Sequence, residues 1–202
     1  MSMNDSPVNY DNLCTCVDAL VCALKFRDEH TELHSQRVIG LSEEIGKACH
    51  LSETDLDHLK MSSCFHDIGK IGIRDEILLK PTQFNPDEWD VMKTHPQIGH
   101  IIVKKLMIEN GDVIAEAVLH HHEYYCGSGY PHQLSKEHIP ILSRIIAVGD
   151  SYDGMTDTRP YHHAKTHTQA MDIISSESGY KFDPYVVRKF ESIIKTSNQK
   201  GQ

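Results

Sequence analysis

Apolar residues recur at helical spacing along most of the chain. Between residues 9 and 27, Leu13, Val17, Leu20, Val21 and Leu24 mark one face, and residues 31–50 repeat the pattern with Leu33, Val38, Leu41 and Ile45. Ser52, three positions before Asp55, has the form of an N-cap with an acidic first turn, opening a helix that runs to His66. No proline interrupts the chain between Pro7 and Pro81, as a long helical block requires. A short helix is predicted at 74–79, stopped by Lys80-Pro81, and Asn85-Pro86-Asp87-Glu88 has the composition of a helix start. Helices at 95–109 and 112–122 follow, separated by Asn110-Gly111. A loop rich in Gly and Tyr then ends at Tyr130-Pro131. Residues 141–155 are the most apolar helix, and amphipathic helices at 163–177 and 184–195 close the chain. Strand alternation is scarce, so the expectation is one all-α domain over 9–196, with a flexible N-terminus at 1–8 and a flexible tail at 197–202.

Composition narrows the partners. A length of 202 residues with 39% hydrophobic and 24% charged content suits one soluble domain with a large core. The net charge of -9 argues against a DNA or RNA polymer as partner, because such proteins carry basic surfaces. No apolar run approaches the roughly 20 residues of a membrane span, and the N-terminus lacks a signal-peptide pattern. Six cysteines without dense regular spacing then read as reduced thiols, and the cytoplasm is the expected location. A homodimer or a signalling-protein partner is an open expectation; a dimer would use the helix at 10–24, although that helix packed on its own domain is the simpler reading. The outlier is a count of 15 histidines.

The chemistry centres on Cys64-Phe65-His66-Asp67-Ile68-Gly69-Lys70-Ile71-Gly72. An imidazole beside a carboxylate suits a divalent metal. Gly69 and Gly72 are expected to let the backbone turn sharply, leaving Lys70 to face an anionic substrate. Alone, this pair reads as an ordinary helix end; its partners change that reading. His120-His121-His122-Glu123 closes an otherwise apolar helix, and residues about 100° apart place at most two of these imidazoles in one cleft. Asp150 interrupts the apolar run Ile145-Ile146-Ala147-Val148 and is expected to be paired or metal-bound. Asp153, one turn on, is expected to face the same cavity and contact substrate. With His34 and His95, these residues make a donor set for two divalent metal ions: His34, His66, Asp67, His95, His121, His122 and Asp150. Asp67 is the candidate bridge, having one oxygen for each ion.

The ordered motifs carry a resemblance. His34-Ser35-Gln36-Arg37-Val38, His66-Asp67-Ile68-Gly69-Lys70, His95-Pro96, His121-His122-Glu123, Gly127-Ser128-Gly129-Tyr130-Pro131, Asp150 with Asp153, and Arg159-Pro160-Tyr161 are similar to those of the HD-GYP phosphodiesterases of the HD superfamily. The resemblance implies an HD-domain-like multi-helix bundle with a Gly-Tyr-Pro loop over the metal site. It implies hydrolysis of a cyclic dinucleotide, chiefly cyclic di-GMP, to a linear dinucleotide or to GMP, with 3',3'-cyclic GMP-AMP as the alternative substrate. It further implies iron or manganese as the ions. One ion would take His34, His66, Asp67 and Asp150, and the other Asp67, His95, His121 and His122. Lys70 and Arg159 would contact phosphate, and Tyr130 lies on the signature loop. In such a site a bridging hydroxide attacks phosphorus in line while Lys70 offsets the growing charge.

Three positions depart from that pattern. His30 stands where some members have a glutamate for a third metal, Cys126 replaces a loop aspartate and is expected to weaken loop anchoring, and His162 replaces a cation after Arg159. Rival readings are an HD phosphohydrolase for another nucleotide, a catalytically silent cyclic-dinucleotide-binding or protein-interaction module, and a structural metal site. The last prefers a cysteine-rich closed set.

Overall fold

The computed structural model describes residues 31–157 and 164–195. Among these, nine α-helices and two 3₁₀ turns carry the chain: α1 Thr31–Ala48, α2 Glu53–Phe65, α3 Asp75–Leu78, α4 Pro86–Met92, α5 His95–Lys105, α6 Gly111–Leu119, α7 Ile141–Thr156, α8 His167–Ser176 and α9 Pro184–Ile193. The 3₁₀ turns are Ile68–Gly72 and Lys136–His138. No strand occurs among the described residues; extended pairing is limited to one isolated bridge, Ser178 to Phe182. The all-α expectation therefore holds for this part, and the segments 1–8, 9–27 and 197–202 lie outside it.

Local chemistry sets the helix starts. Ser52 caps α2 by accepting from the Asp55 amide, and Asn85 and Glu88 form a reciprocal capping box on α4. Thr166 and Gln169 do the same for α8. Two helices stop earlier than apolar spacing suggests. α5 ends at Lys105 rather than near 109, and Met107 and Asn110 adopt left-handed backbone with φ of 51° and 56°. α6 ends at Leu119, so the three histidines occupy a turn and not the end of a helix.

The principal core wraps α7. Ile145, Ile146, Val148 and Tyr152 are wholly buried there, packed with Leu41 and Ile45 of α1, Leu59 of α2, and Val186 and Phe190 of α9. Each such side chain contributes roughly 1.5–3 kcal/mol on burial. A second cluster, containing Phe65, Ile68, Val103, Ile114 and Val118, joins the end of α2 to α6 and the following 3₁₀ turn to α5. These two cores fix where α2 ends, where α5 begins and where α6 stops.

The turn after α2 is held by close packing and not by an unusual backbone. A Cβ at Gly69 would sit 1.9 Å from the His95 carbonyl oxygen and 2.5 Å from the Gly99 nitrogen. Left-handed glycine backbone is instead found at Gly127 and Gly179. Glycine at 69 thus allows the 3₁₀ turn to touch α5, which corrects the expectation that it serves a sharp bend.

Candidate metal centre

Helix ends and the middle of α7 bring the predicted donors together. His34 lies in the first turn of α1, His66 and Asp67 follow α2, and His95 is the first residue of α5. His121 and His122 occupy the turn after α6, and Asp150 comes from the middle of α7. Two groups of ligand atoms result, each within 4.8 Å of one another: His34, His66 and Asp150, and His95, His121 and His122. Asp67 stands between them. Its Oδ2 lies 3.4 Å from His66 Nε2, and its Oδ1 lies 3.5 Å from His95 Nε2. Lys70 Nζ donates to Asp67 Oδ2 at 2.7 Å.

Each imidazole is aimed by the bond its other nitrogen makes. The Nδ1 atoms of His66, His95 and His121 lie 2.7, 2.9 and 2.6 Å from the carbonyls of Ser63, Met92 and Val118. A carbonyl can only accept, so Nδ1 carries the proton and Nε2 presents a lone pair to the centre. His34 Nδ1 is held instead by Asp153 Oδ2 at 2.7 Å. Arg37 Nε donates to Asp153 Oδ1 at 2.5 Å. Asp153 is buried at 3% exposure, so it supports His34 rather than facing the cavity as expected of a substrate contact.

These tautomers test whether the set suits cations. His95 Nε2 and His121 Nε2 are 3.4 Å apart with both protons committed to the opposite nitrogen. Two facing lone pairs repel unless a proton or a cation lies between them. Burial, helped by neighbouring positive groups, lowers His95 to a pKa of about 4 and His121 to about 3, and burial also drives His122 well below its usual value. Protonation is therefore not the remedy at neutral pH, and a separation of 3.4 Å is one that two nitrogens about 2.1 Å from one ion can adopt. The donor set fits divalent metal.

The other half is more anionic. For Asp67 burial alone would raise the pKa, yet Lys70 and His66 outweigh it and hold the carboxyl well below its usual range. Asp150 is likewise depressed, burial being outweighed by its bond to His34 and by His66. Burial opposes a charge on His34, but hydrogen bonds to Asp150 and Asp153 raise it to about 9. His34 Nε2 lies 3.3 Å from both His66 Nε2 and Asp150 Oδ1.

An open cleft of about 360 Å³ lies over the centre, lined by His34, Asp67, Lys70, Trp89, Tyr130 and Asp150 among others. Tyr130 rests on His122, with ring centroids 5.0 Å apart. Its loop is anchored by Glu123, which accepts from the His132 amide at 2.7 Å and the Leu134 amide at 3.1 Å. Further loop bonds run from the Tyr125 and Cys126 amides to the Lys181 and Tyr180 carbonyls, so the loop is tied down despite Cys126. His120 turns away and meets His132, Nε2 to Nδ1 at 3.1 Å. Arg159, His162 and His30 lie outside the described residues. Sequence reasoning missed Arg37, Glu123 and Trp89 as participants. Arg37 carried a signal, being three residues after His34 on the same helical face.

The chain is similar to several known proteins. The family described as HD domain matches residues 19–186. A cyclic di-GMP phosphodiesterase of Thermotoga maritima is 39% identical over 185 residues, covering 92% of this chain and 50% of that protein. A 3'3'-cGAMP-specific phosphodiesterase of Vibrio cholerae is 34% identical over 168 residues, covering 83% of this chain and 32% of that protein. The chain thus spans half or less of the length of these curated relatives. Among solved structures, a cyclic GMP-AMP-specific phosphodiesterase of V. cholerae shares the fold with a TM-score of 0.71 at 20% identity, over 93% of this chain and 50% of that one. No helix among the described residues is long and apolar enough to cross a membrane. Such a domain binds divalent metal, as the two donor groups beside Asp67 suit, and by its match and its relatives the chain belongs to the HD domain family, in its HD-GYP branch.

Proposed function

We propose that residues 9–196 form a metal-dependent phosphodiesterase that hydrolyses a cyclic dinucleotide, first of all cyclic di-GMP, in the cytoplasm. The observation that supports this most is Asp67, whose two oxygens face opposite donor groups at 3.4 and 3.5 Å while Lys70 stands beside it. His34, His66, Asp67 and Asp150 would hold one ion, and Asp67, His95, His121 and His122 the other. Iron or manganese suits a set of imidazoles and carboxylates without thiolate. When bound, the two ions supply an activated water and an electrostatic clamp on the phosphodiester.

The chain's own groups then do three things. Lys70 exchanges part of its pairing with Asp67 for a non-bridging phosphate oxygen, where it offsets charge developing in the transition state. Arg159 contributes a second phosphate contact. Tyr130, on a loop fixed by Glu123, closes one side of the cleft and orients the substrate over the donors. A preference for 3',3'-cyclic GMP-AMP is the second reading, favoured by the similarity to a protein of that specificity.

Turnover of cyclic di-GMP and cyclic GMP-AMP is to be measured side by side with iron- or manganese-loaded protein, wild type and Asp67→Ala. The expected result is hydrolysis by the wild type to the linear dinucleotide or GMP, abolished by the substitution. Full turnover by Asp67→Ala would sink the mechanism, and binding without turnover under any metal would identify a silent binding module.

A further inference from the structure

The cleft over the metal centre has two unlike sides. Its floor is polar, with Asp67, Asp150 and Lys70, whereas Leu78, Phe84, Trp89 and Met92 form an apolar wall. Within that wall Phe84 and Trp89 lie nearly parallel, at 18° and 6.2 Å between centroids. Trp89 also meets Tyr130 edge-on at 6.2 Å and 82°, and Tyr130 in turn rests on His122. A chain of rings therefore runs from a candidate metal ligand to the rim. Trp89 is 43% exposed and lines the cleft, so its ring is within reach of a ligand there.

The wall is firmly mounted. The capping box of Asn85 and Glu88 fixes the start of α4. Glu88 also accepts from Lys80 Nζ at 2.5 Å, tying the helix to the segment before it. Beneath, Met92 joins Ile73 and Ile77 in a small separate core against which Phe84 and Val91 pack. An exposed ring on such a rigid mount is preorganised for a flat partner.

We infer that Trp89, backed by Phe84 and bordered by Tyr130, is a stacking subsite for a purine base of the substrate. The inference rests on the phosphodiesterase reading for the identity of that substrate. A ligand whose phosphate lies at Lys70 and the metal donors must send its non-phosphate part along the cleft, and the apolar wall offers a ring face and no charge there. Purines present the largest flat apolar face of any nucleotide component, and stacking on an aromatic side chain needs no particular pattern of donors and acceptors. The subsite consequently admits guanine and adenine alike and adds affinity without choosing between cyclic di-GMP and cyclic GMP-AMP.

Trp89 is the sole tryptophan of the 202 residues, so its emission reports on this subsite directly. The test titrates metal-loaded full chain with GMP and, separately, with ribose 5-phosphate, which keeps the phosphate and sugar and lacks the base. In parallel, KM and kcat for cyclic di-GMP are measured for Trp89→Ala and Trp89→Phe. The expected results are saturable quenching by GMP and none by ribose 5-phosphate. Trp89→Ala should raise KM by about 5- to 150-fold with little change in kcat, and Trp89→Phe should restore most of the loss. Turnover with an unchanged KM in Trp89→Ala and no quenching by GMP would overturn the subsite and leave the phosphodiesterase reading standing. Quenching by GMP without any turnover would sink that reading and leave the base subsite standing. Equal quenching by ribose 5-phosphate, or emission that follows protein concentration instead of nucleotide, would also overturn it, the latter by showing a second copy on the wall.

Discussion

Asp153 grips the Nδ1 of His34 at 2.7 Å with one carboxylate oxygen, while Arg37 Nε holds its other oxygen at 2.5 Å. The imidazole is thereby aimed by a side chain that touches no other predicted metal donor. Asp153→Ala should weaken metal retention about 10- to 100-fold, the usual cost of losing such a partner. Metal content after dialysis against graded chelator checks this, with circular dichroism showing that the helices persist. Asp153→Asn, which keeps an acceptor, should fall between the two.

The proton on His34 gives a pH signature. Its pKa is about 9 in the folded, metal-free chain and about 6.5 unfolded. A raised value means that protonation favours the folded state, so the contribution is fully present below 6.5 and is lost as pH rises through 9. Metal-free protein should therefore melt at a lower temperature at pH 9.5 than at pH 6.5 as far as this group is concerned. A bound ion must expel that proton, so affinity should fall by up to about tenfold per unit as pH drops from 9 towards 6.5. Calorimetry at pH 8 in buffers of different ionisation enthalpy should register release of close to one proton from this residue.

Gly69 and Gly72 should behave differently although they share one 3₁₀ turn. A Cβ at 69 meets fixed backbone at 1.9 Å, whereas at 72 it meets only the Ile98 side chain at 3.0 Å. Gly69→Ala is expected to cost about 1–3 kcal/mol or more, because His95 and the start of α5 must shift. Gly72→Ala should cost less than about 1 kcal/mol, since Ile98 can move. Urea denaturation of both variants provides the comparison, and the Gly69 variant should also hold less metal.

Glu123 carries the Gly-Tyr-Pro loop from below. Glu123→Ala leaves the His132 and Leu134 amides without their acceptor, a loss of about 1–3 kcal/mol for each one that stays buried. Amide exchange at 132 and 134 should accelerate and KM should rise through Tyr130. Cys126→Asp, by contrast, should change loop exchange little, because the Cys126 and Tyr125 amides already bond to the Tyr180 and Lys181 carbonyls.

Much of this was legible in the order of residues. Apolar spacing located α1 and α7, and Ser52 and Asn85 announced the starts of α2 and α4 because capping is local chemistry. The donors could be read because imidazoles and acids inside apolar helices need a reason to be there. The role of Asp153 was not legible. One turn after Asp150 it belongs to the same stretch of helix, and only the tertiary position of α1, which supplies His34 and Arg37, decides that it looks away from the cleft. Nor did the end of α6 at Leu119 show in an apolar run that continues up to His120; the second core and the turn set it. Trp89 was equally silent, since an aromatic residue on a short helix reads as core until its exposure and neighbours are known.

The Nδ1 bonds of His66, His95 and His121 all end on main-chain carbonyls three residues earlier, and that of His34 ends on a side chain. No amino-acid exchange can delete a peptide carbonyl. The aiming of His95 and His121 is thus mutationally deaf: it alters only when the histidine itself is replaced or a helix moves. The half containing His34 has an external dial at position 153, turned further by whatever occupies position 37. On the proposed assignment, retention of one ion alters there through single substitutions that leave every donor in place.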